Sequence, residues 1–163
     1  MLSRDLVSKI TEQIERTDHL AGLVPEQQLH WRPPIPGAWS AGELLGHLLD
    51  CLAGFCAVLY KAEPDRLRHF AGLRDLPVNH ACAPDEARRR IAHYRSHIDQ
   101  GFTLVDDAAL GRKLPTIFVP EGETLMTLLL GNLEHLINHK HQLFVYLKLM
   151  AVDVRSSDLY HFR

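Results

Sequence analysis

Cysteine is scarce in this sequence: only Cys51, Cys56 and Cys82 occur, an odd number without a Cys-x-x-Cys pair. That excludes a disulfide scaffold and a zinc ribbon, and it fits a reducing compartment. Charge of one sign is lacking too. Eighteen Lys and Arg against twenty Asp and Glu leave a formal charge of −2, and no like-charged block extends beyond Arg88-Arg89-Arg90. Holding nucleic acid by neutralising its phosphates needs a basic footprint, so that class is set aside. No apolar run reaches the roughly 18 residues of a membrane span. The charges spread through MLSRDLVSKITEQIERTDHL exclude a signal peptide. The expectation is a cytoplasmic protein that engages neither membrane nor nucleic acid.

Apolar residues and histidine are abundant. With 163 residues, 46% of them hydrophobic, the chain reads as a single domain spanning 1–163 whose core needs no disulfide or metal merely to fold. Any metal site must therefore be argued on function. Histidine occurs eleven times, well above ordinary usage, so the placement of these residues is the main question.

Apolar residues at spacings of three and four predict four helices. The first, near 4–23, carries Leu6, Ile10, Ile14, Thr17 and Leu20, with Ser3 as N-cap and Pro25 as stop. WRPPIPGAW then forbids helix and ladder alike, and reads as a loop pinned by Trp31 and Trp39. Ser40 and Glu43 form a capping box that opens a second helix near 41–62. Residues 63–83 read as a long connection with a short helix, which suits helices that are not immediate antiparallel neighbours. Pro84, followed by Asp85 and Glu86, starts a third helix to about Val105. In 108–123, Thr116-Ile117-Phe118-Val119 suits an extended run, but a single run makes no sheet. The fourth helix, from Thr124 to Ala151, is apolar nearly all round and is expected to be the buried one. Four long helices without a second strand predict an all-α four-helix bundle.

Two histidine pairs have i, i+4 spacing, which sets two imidazoles on one helical face. His93 and His97 fall away from their helix's core stripe, toward solvent. His135 and His139 lie in a segment apolar on most sides, where a shared metal would satisfy both rings, although hydrogen bonds to nearby carbonyls would serve as well. His47 on the second helix sits at the edge of its stripe. Two histidines from one helix and one from another make a bundle metal site with a position open to water or substrate. Cys51, one turn later, reads as a small buried hydrophobe.

Pro36-Gly37-Ala38-Trp39-Ser40, then Glu43-Leu44 and His47-Leu48, resembles the start of the second helix in the DinB/YfiT-like metalloenzyme superfamily. Gly122-Glu123-Thr124, the run His135 to Leu143, and Tyr146-Leu147 are similar to that family's last helix, and Leu159-Tyr160 to its tail. The resemblance spans about Leu29 to Tyr160. It implies an up-down-down-up four-helix bundle and a divalent cation held by three histidines, which map onto His47, His135 and His139. The chain departs from the family's His-His-Arg-Gly-Gln with Asn138, His139, Lys140, His141 and Gln142, and Ala151 stands where glycine commonly ends the helix.

The activity the resemblance implies is a thiol S-transferase that joins a low-molecular-weight thiol to a small electrophile, since a dication deprotonates a coordinated thiol near neutral pH. A metal-dependent hydrolase or isomerase, and a non-catalytic metal-binding module, stand as alternatives. The cation expected is zinc or nickel, with manganese as a further option. Asp50, one turn from His47, and Tyr146, near the His139 face, are the candidate groups supporting the ligands. The expected partners are a small-molecule substrate and a second copy of the chain. Pairing follows because the fourth helix has more apolar surface than one bundle side covers, unless residues 63–83 and 108–123 wrap the excess.

Overall fold

The computed structural model describes residues 2–116 and 119–160. Its helices are α1 (Leu2–Ala21), α2 (Ala41–Ala62), α3 (Pro84–Phe102), α4 (Leu125–Leu149) and a short α5 (Ser156–Leu159). The capping box is present: the Glu43 N–H donates to Ser40 Oγ at 3.2 Å and the Ser40 N–H to Glu43 Oε2 at 2.7 Å. α2 therefore begins and ends where the sequence predicts. α1 starts earlier than predicted. Ser3 is inside the helix, and the Asp107 carboxylate caps it from across the bundle, accepting the Ser3 N–H at 2.8 Å.

The route of the 63–83 connection sets the topology. It runs back along α2, where the Asn79 N–H donates to the Gly46 carbonyl at 3.1 Å and the Cys82 N–H to the Gly42 carbonyl at 3.1 Å. α3 thus starts beside the start of α2, and the two run parallel. Both glycines permit this contact, Gly46 above all: a Cβ there would fall 1.7 Å from the His80 carbonyl oxygen. α1 runs against α3, with Asp18 paired to Arg88 and Glu15 to Arg95. α4 runs against α2, since Asn132 meets Gly54 while His135 meets His47 near the start of α2. The bundle is therefore up-down-down-up, each of α1 and α2 packing on both α3 and α4.

Two expectations are corrected. α2 is the central helix, with Leu44, Leu45, Leu48, Leu49, Leu52, Phe55 and Leu59 fully buried, whereas α4 leaves Leu130, Val145 and Leu149 exposed. α4's apolar residues outnumber the positions that face its neighbours, while α2 is enclosed by α3, α4 and the returning connection. α2 is long and apolar enough to cross a membrane, as the core helix of a bundle can be, and most of it is buried inside the bundle. Second, a short antiparallel ladder exists. β1 (Lys113–Leu114) pairs with β2 (Glu123–Thr124), closed at Gly122, whose φ of 93° suits glycine. The expected extended run at 116–119 lies partly outside the described residues. α4 ends in a Schellman motif: the Val152 N–H reaches the Leu147 carbonyl at 3.0 Å and the Ala151 N–H the Lys148 carbonyl at 3.1 Å. Ala151 holds the left-handed position, φ 63°, where glycine is the usual occupant.

Candidate metal centre

His47 stands near the start of α2, and His135 and His139 stand one turn apart on the antiparallel α4. The structure brings all three together. One ring nitrogen from each lies within 4.8 Å of the others, and all three side chains are half-buried. His47 Nε2 and His135 Nε2 are 3.2 Å apart. Nitrogens bound to one ion at about 2.0–2.1 Å stand roughly 2.9–3.4 Å from each other, so this separation suits shared coordination.

Neighbours fix the rings. His47 Nδ1 donates to Asn79 Oδ1 at 2.7 Å, which leaves the Nε2 lone pair for a cation. Asn79 does so from a left-handed backbone conformation, φ 57°, that asparagine tolerates better than most residues. His139 Nδ1 donates to Gln142 Oε1 at 2.9 Å. The Gln142 amide then donates to the Tyr146 hydroxyl at 3.2 Å, and that hydroxyl donates to the Trp39 carbonyl at 3.1 Å. Tyr146 thus supports His139 through Gln142 and ties α4 to the loop before α2. The Trp39 ring lies 4.3 Å from the His47 ring and 5.4 Å from the His139 ring, covering one side of the triad.

Burial lowers the pKa of His135 and of His139 below the ordinary imidazole value, and neighbouring histidines lower both further. Neutral imidazole is the form that binds a metal, so this environment favours ligation. Asp50 raises the pKa of His135 through its charge, which sets the carboxylate within electrostatic reach of the triad. Asp50 also lines a cavity of about 480 Å³ between α2 and the 3₁₀ segment Arg68–Asp75, walled by Ala53, Gly54, Phe70 and Leu76 among others. Gly54 in this wall faces the amide of Asn132, whose Nδ2 is buried without a hydrogen-bond partner among the described residues. Asp50 thus both lines the cavity and lies within electrostatic reach of His135, while the three histidines are not among the cavity's lining residues.

Sequence reasoning missed Asn79, Gln142 and Asn132. Gln142 lies three residues after His139 on one helical face, a signal that spacing carries. Asn79 belongs to a connection whose path no local pattern reveals. Asn138 and His141, which depart from the family pattern, are exposed on α4 and support none of the three ligands. Lys140 is buried elsewhere, donating to Gln13 Oε1 at 2.6 Å and to the Leu159 carbonyl at 3.2 Å. His93 is exposed, and His97 packs beside Phe70, away from the triad. Cys51 is buried and its thiol is pushed up to about 12 by burial, which makes it inert.

Comparison with known proteins supports the fold. The DinB superfamily model matches residues 9–143. A DinB-like protein from Bacillus subtilis superposes with a TM-score of 0.67 at 21% identity, covering 90% of this chain and 92% of that one. A mycothiol-dependent maleylpyruvate isomerase superposes with a TM-score of 0.56 at 14% identity, over 97% of this chain and 64% of that one. A mutant of such an isomerase gives 0.61 at 13% identity, over 86% and 60%. The chain thus spans about three fifths of the isomerase's length. No curated protein sequence matches.

Proposed function

The chain belongs to the DinB superfamily, and we propose that it is a divalent-cation-dependent enzyme that joins a small thiol to an electrophile. The observation that carries this reading is the histidine triad itself, with Asp50 lying within electrostatic reach of His135 and lining a cavity. Three imidazoles would satisfy three positions of a zinc or nickel ion and leave room for a non-protein ligand, and Asp50, one turn from His47, lines an apolar cavity of about 480 Å³. A sealed site or a fourth protein ligand would have favoured a purely structural ion. Among the described residues, the group at the triad consists of His47, His135 and His139 alone.

When bound, the cation would supply acidification of the thiol, so that the sulfur is nucleophilic near neutral pH. The chain's own residues do the remainder. Asn79 and Gln142 hold His47 and His139 in the tautomers that ligate. Ala53, Phe70 and Leu76 seat the apolar part of the electrophile and exclude water. Asp50, which lines the cavity one turn from His47, would accept the proton released when the thiol ionises. Thiol-dependent isomerisation is the second reading, favoured by the likeness to the mycothiol-dependent isomerase. The expected partners are small molecules and a second copy of the chain. Leu130, Val145 and Leu149 on the outer side of α4 would meet that copy, and light scattering measures it.

The test is a thiol-consumption screen of zinc- or nickel-loaded protein against a panel of small electrophiles and unsaturated acids. Consumption that disappears in His139→Ala supports transfer. Isomerised product with the thiol returned moves the assignment to the second reading. Neither outcome, with the cation bound, overturns both.

A further inference from the structure

A second cluster of ligating side chains lies outside the triad, and the proposed reaction makes no use of it. His80 and Cys82 end the 63–83 connection, and Glu86 stands in the first turn of α3. One ligating atom from each lies within 4.8 Å of the others, and His80 Nε2 is 2.9 Å from Glu86 Oε1. We propose that His80, Cys82 and Glu86 form a second metal site, a structural zinc clasp that fastens the end of the connection to the start of α3.

The donor set suits this ion. One imidazole, one thiolate and one carboxylate are the borderline-soft mixture zinc takes, and the two anions neutralise a dication without help from solvent. Cys82 is 4% exposed, so its sulfur is shielded from competing thiols and oxidants. His80 Nδ1 is buried and has no hydrogen-bond partner among the described residues. An ordered water would satisfy that orphan, and the ion would sit at Nε2, on the side of Glu86. Arg90, whose charge reaches Cys82, is committed elsewhere, donating to the Pro77 carbonyl at 2.8 Å and to the Tyr94 hydroxyl at 2.9 Å.

In the absence of an ion the Cys82 thiol is pushed up to about 12, by burial first and by the Glu86 charge second. It is then a protonated thiol at neutral pH, so an ion must displace its proton to bind. Binding forms a zinc–sulfur bond and releases the thiol proton to solvent; nothing is oxidised or reduced. The clasp bears on the triad through one residue. Asn79, which holds His47, precedes His80, and the His80 backbone rests on Gly46. An ion at this site would stiffen the segment that orients the His47 ring.

Cobalt(II) distinguishes the two sites, because only the second contains sulfur. Metal-stripped full-length protein titrated with cobalt should take up two ions per chain, with thiolate-to-cobalt charge-transfer absorption accompanying one of them. Cys82→Ser should bind a single ion without that absorption. The double variant His135→Ala/His139→Ala should keep the absorption while losing the other ion, so failure of the triad's reading and failure of this one are told apart. Glu86→Gln, which leaves the buried thiol in place, should weaken the sulfur-containing site at least tenfold. Uptake by the wild-type protein without charge-transfer absorption, absorption that persists in Cys82→Ser, or unchanged affinity in Glu86→Gln would overturn the clasp.

Discussion

Replacing Asn79 by glycine should weaken cation binding at the triad while leaving the fold intact. Asn79 contributes two separable things. Its N–H donates to the Gly46 carbonyl at 3.1 Å, and its side chain accepts the His47 Nδ1 proton at 2.7 Å. Glycine keeps the N–H and accepts a φ of 57° without strain, so Asn79→Gly deletes only the side-chain contact. Loss of a hydrogen bond that orients a metal-ligating imidazole typically lowers affinity about 10–100-fold, or about 1.4–2.8 kcal/mol. Asn79→Ala should lose the same affinity and also destabilise the fold by up to about 1 kcal/mol, because alanine lacks the short polar side chain by which asparagine tolerates the left-handed region. Asn79→Asp, which keeps an acceptor in place, should retain affinity. Competition titration of zinc against a chromophoric chelator measures the affinities, and thermal melts of the stripped proteins measure the stabilities. Equal zinc affinity in Asn79→Gly and wild type would refute the argument that Asn79 sets the His47 tautomer.

Gly46→Ala should be among the most damaging single-methyl additions in the chain, since the new Cβ would fall 1.7 Å from backbone oxygen of His80. The loss should meet or exceed the roughly 1–3 kcal/mol of ordinary overpacking, and zinc affinity should fall with it as Asn79 is displaced. Ala151→Gly should stabilise by roughly 0.5–1 kcal/mol, because relief of left-handed strain exceeds the added flexibility of the unfolded chain, as a denaturant titration would register. The lowered pKa values of His135 and His139 mean that the folded, metal-free protein binds fewer protons than the unfolded chain just below the ordinary imidazole range. Its stability should therefore fall as pH drops through that window and recover as pH rises, with zinc released over the same range. Melting temperatures from pH 7 downward should flatten in His135→Gln/His139→Gln, and a slope of opposite sign would contradict the burial argument.

The residues that were legible in the sequence are those whose neighbours are close in the chain. α2 was read at its observed bounds because its signals, Ser40 and Glu43, lie three residues apart. His135 and His139 were read as a pair because four residues make one helical turn. What could not be read depends on partners far along the chain. The cap of α1 comes from Asp107, and the support of His47 comes from Asn79, on a connection whose path is set by two glycines of α2. Apolar content also misled: it marked α4 as the enclosed helix, yet enclosure is decided by the number of packed neighbours, and α2 has the connection as well as α3 and α4 around it. The cluster of His80, Cys82 and Glu86 has close spacing, but it falls where the sequence pattern changes from connection to helix, so no single periodicity joins the three.

Zinc-edge anomalous diffraction from crystals of the zinc-loaded protein tests the central claim most directly. The account predicts a peak about 2.0–2.1 Å from one nitrogen each of His47, His135 and His139, with a remaining coordination position filled by a non-protein ligand on the side of Asp50 and the cavity. No peak among the three imidazoles, or a peak closed by a fourth protein ligand, would contradict it.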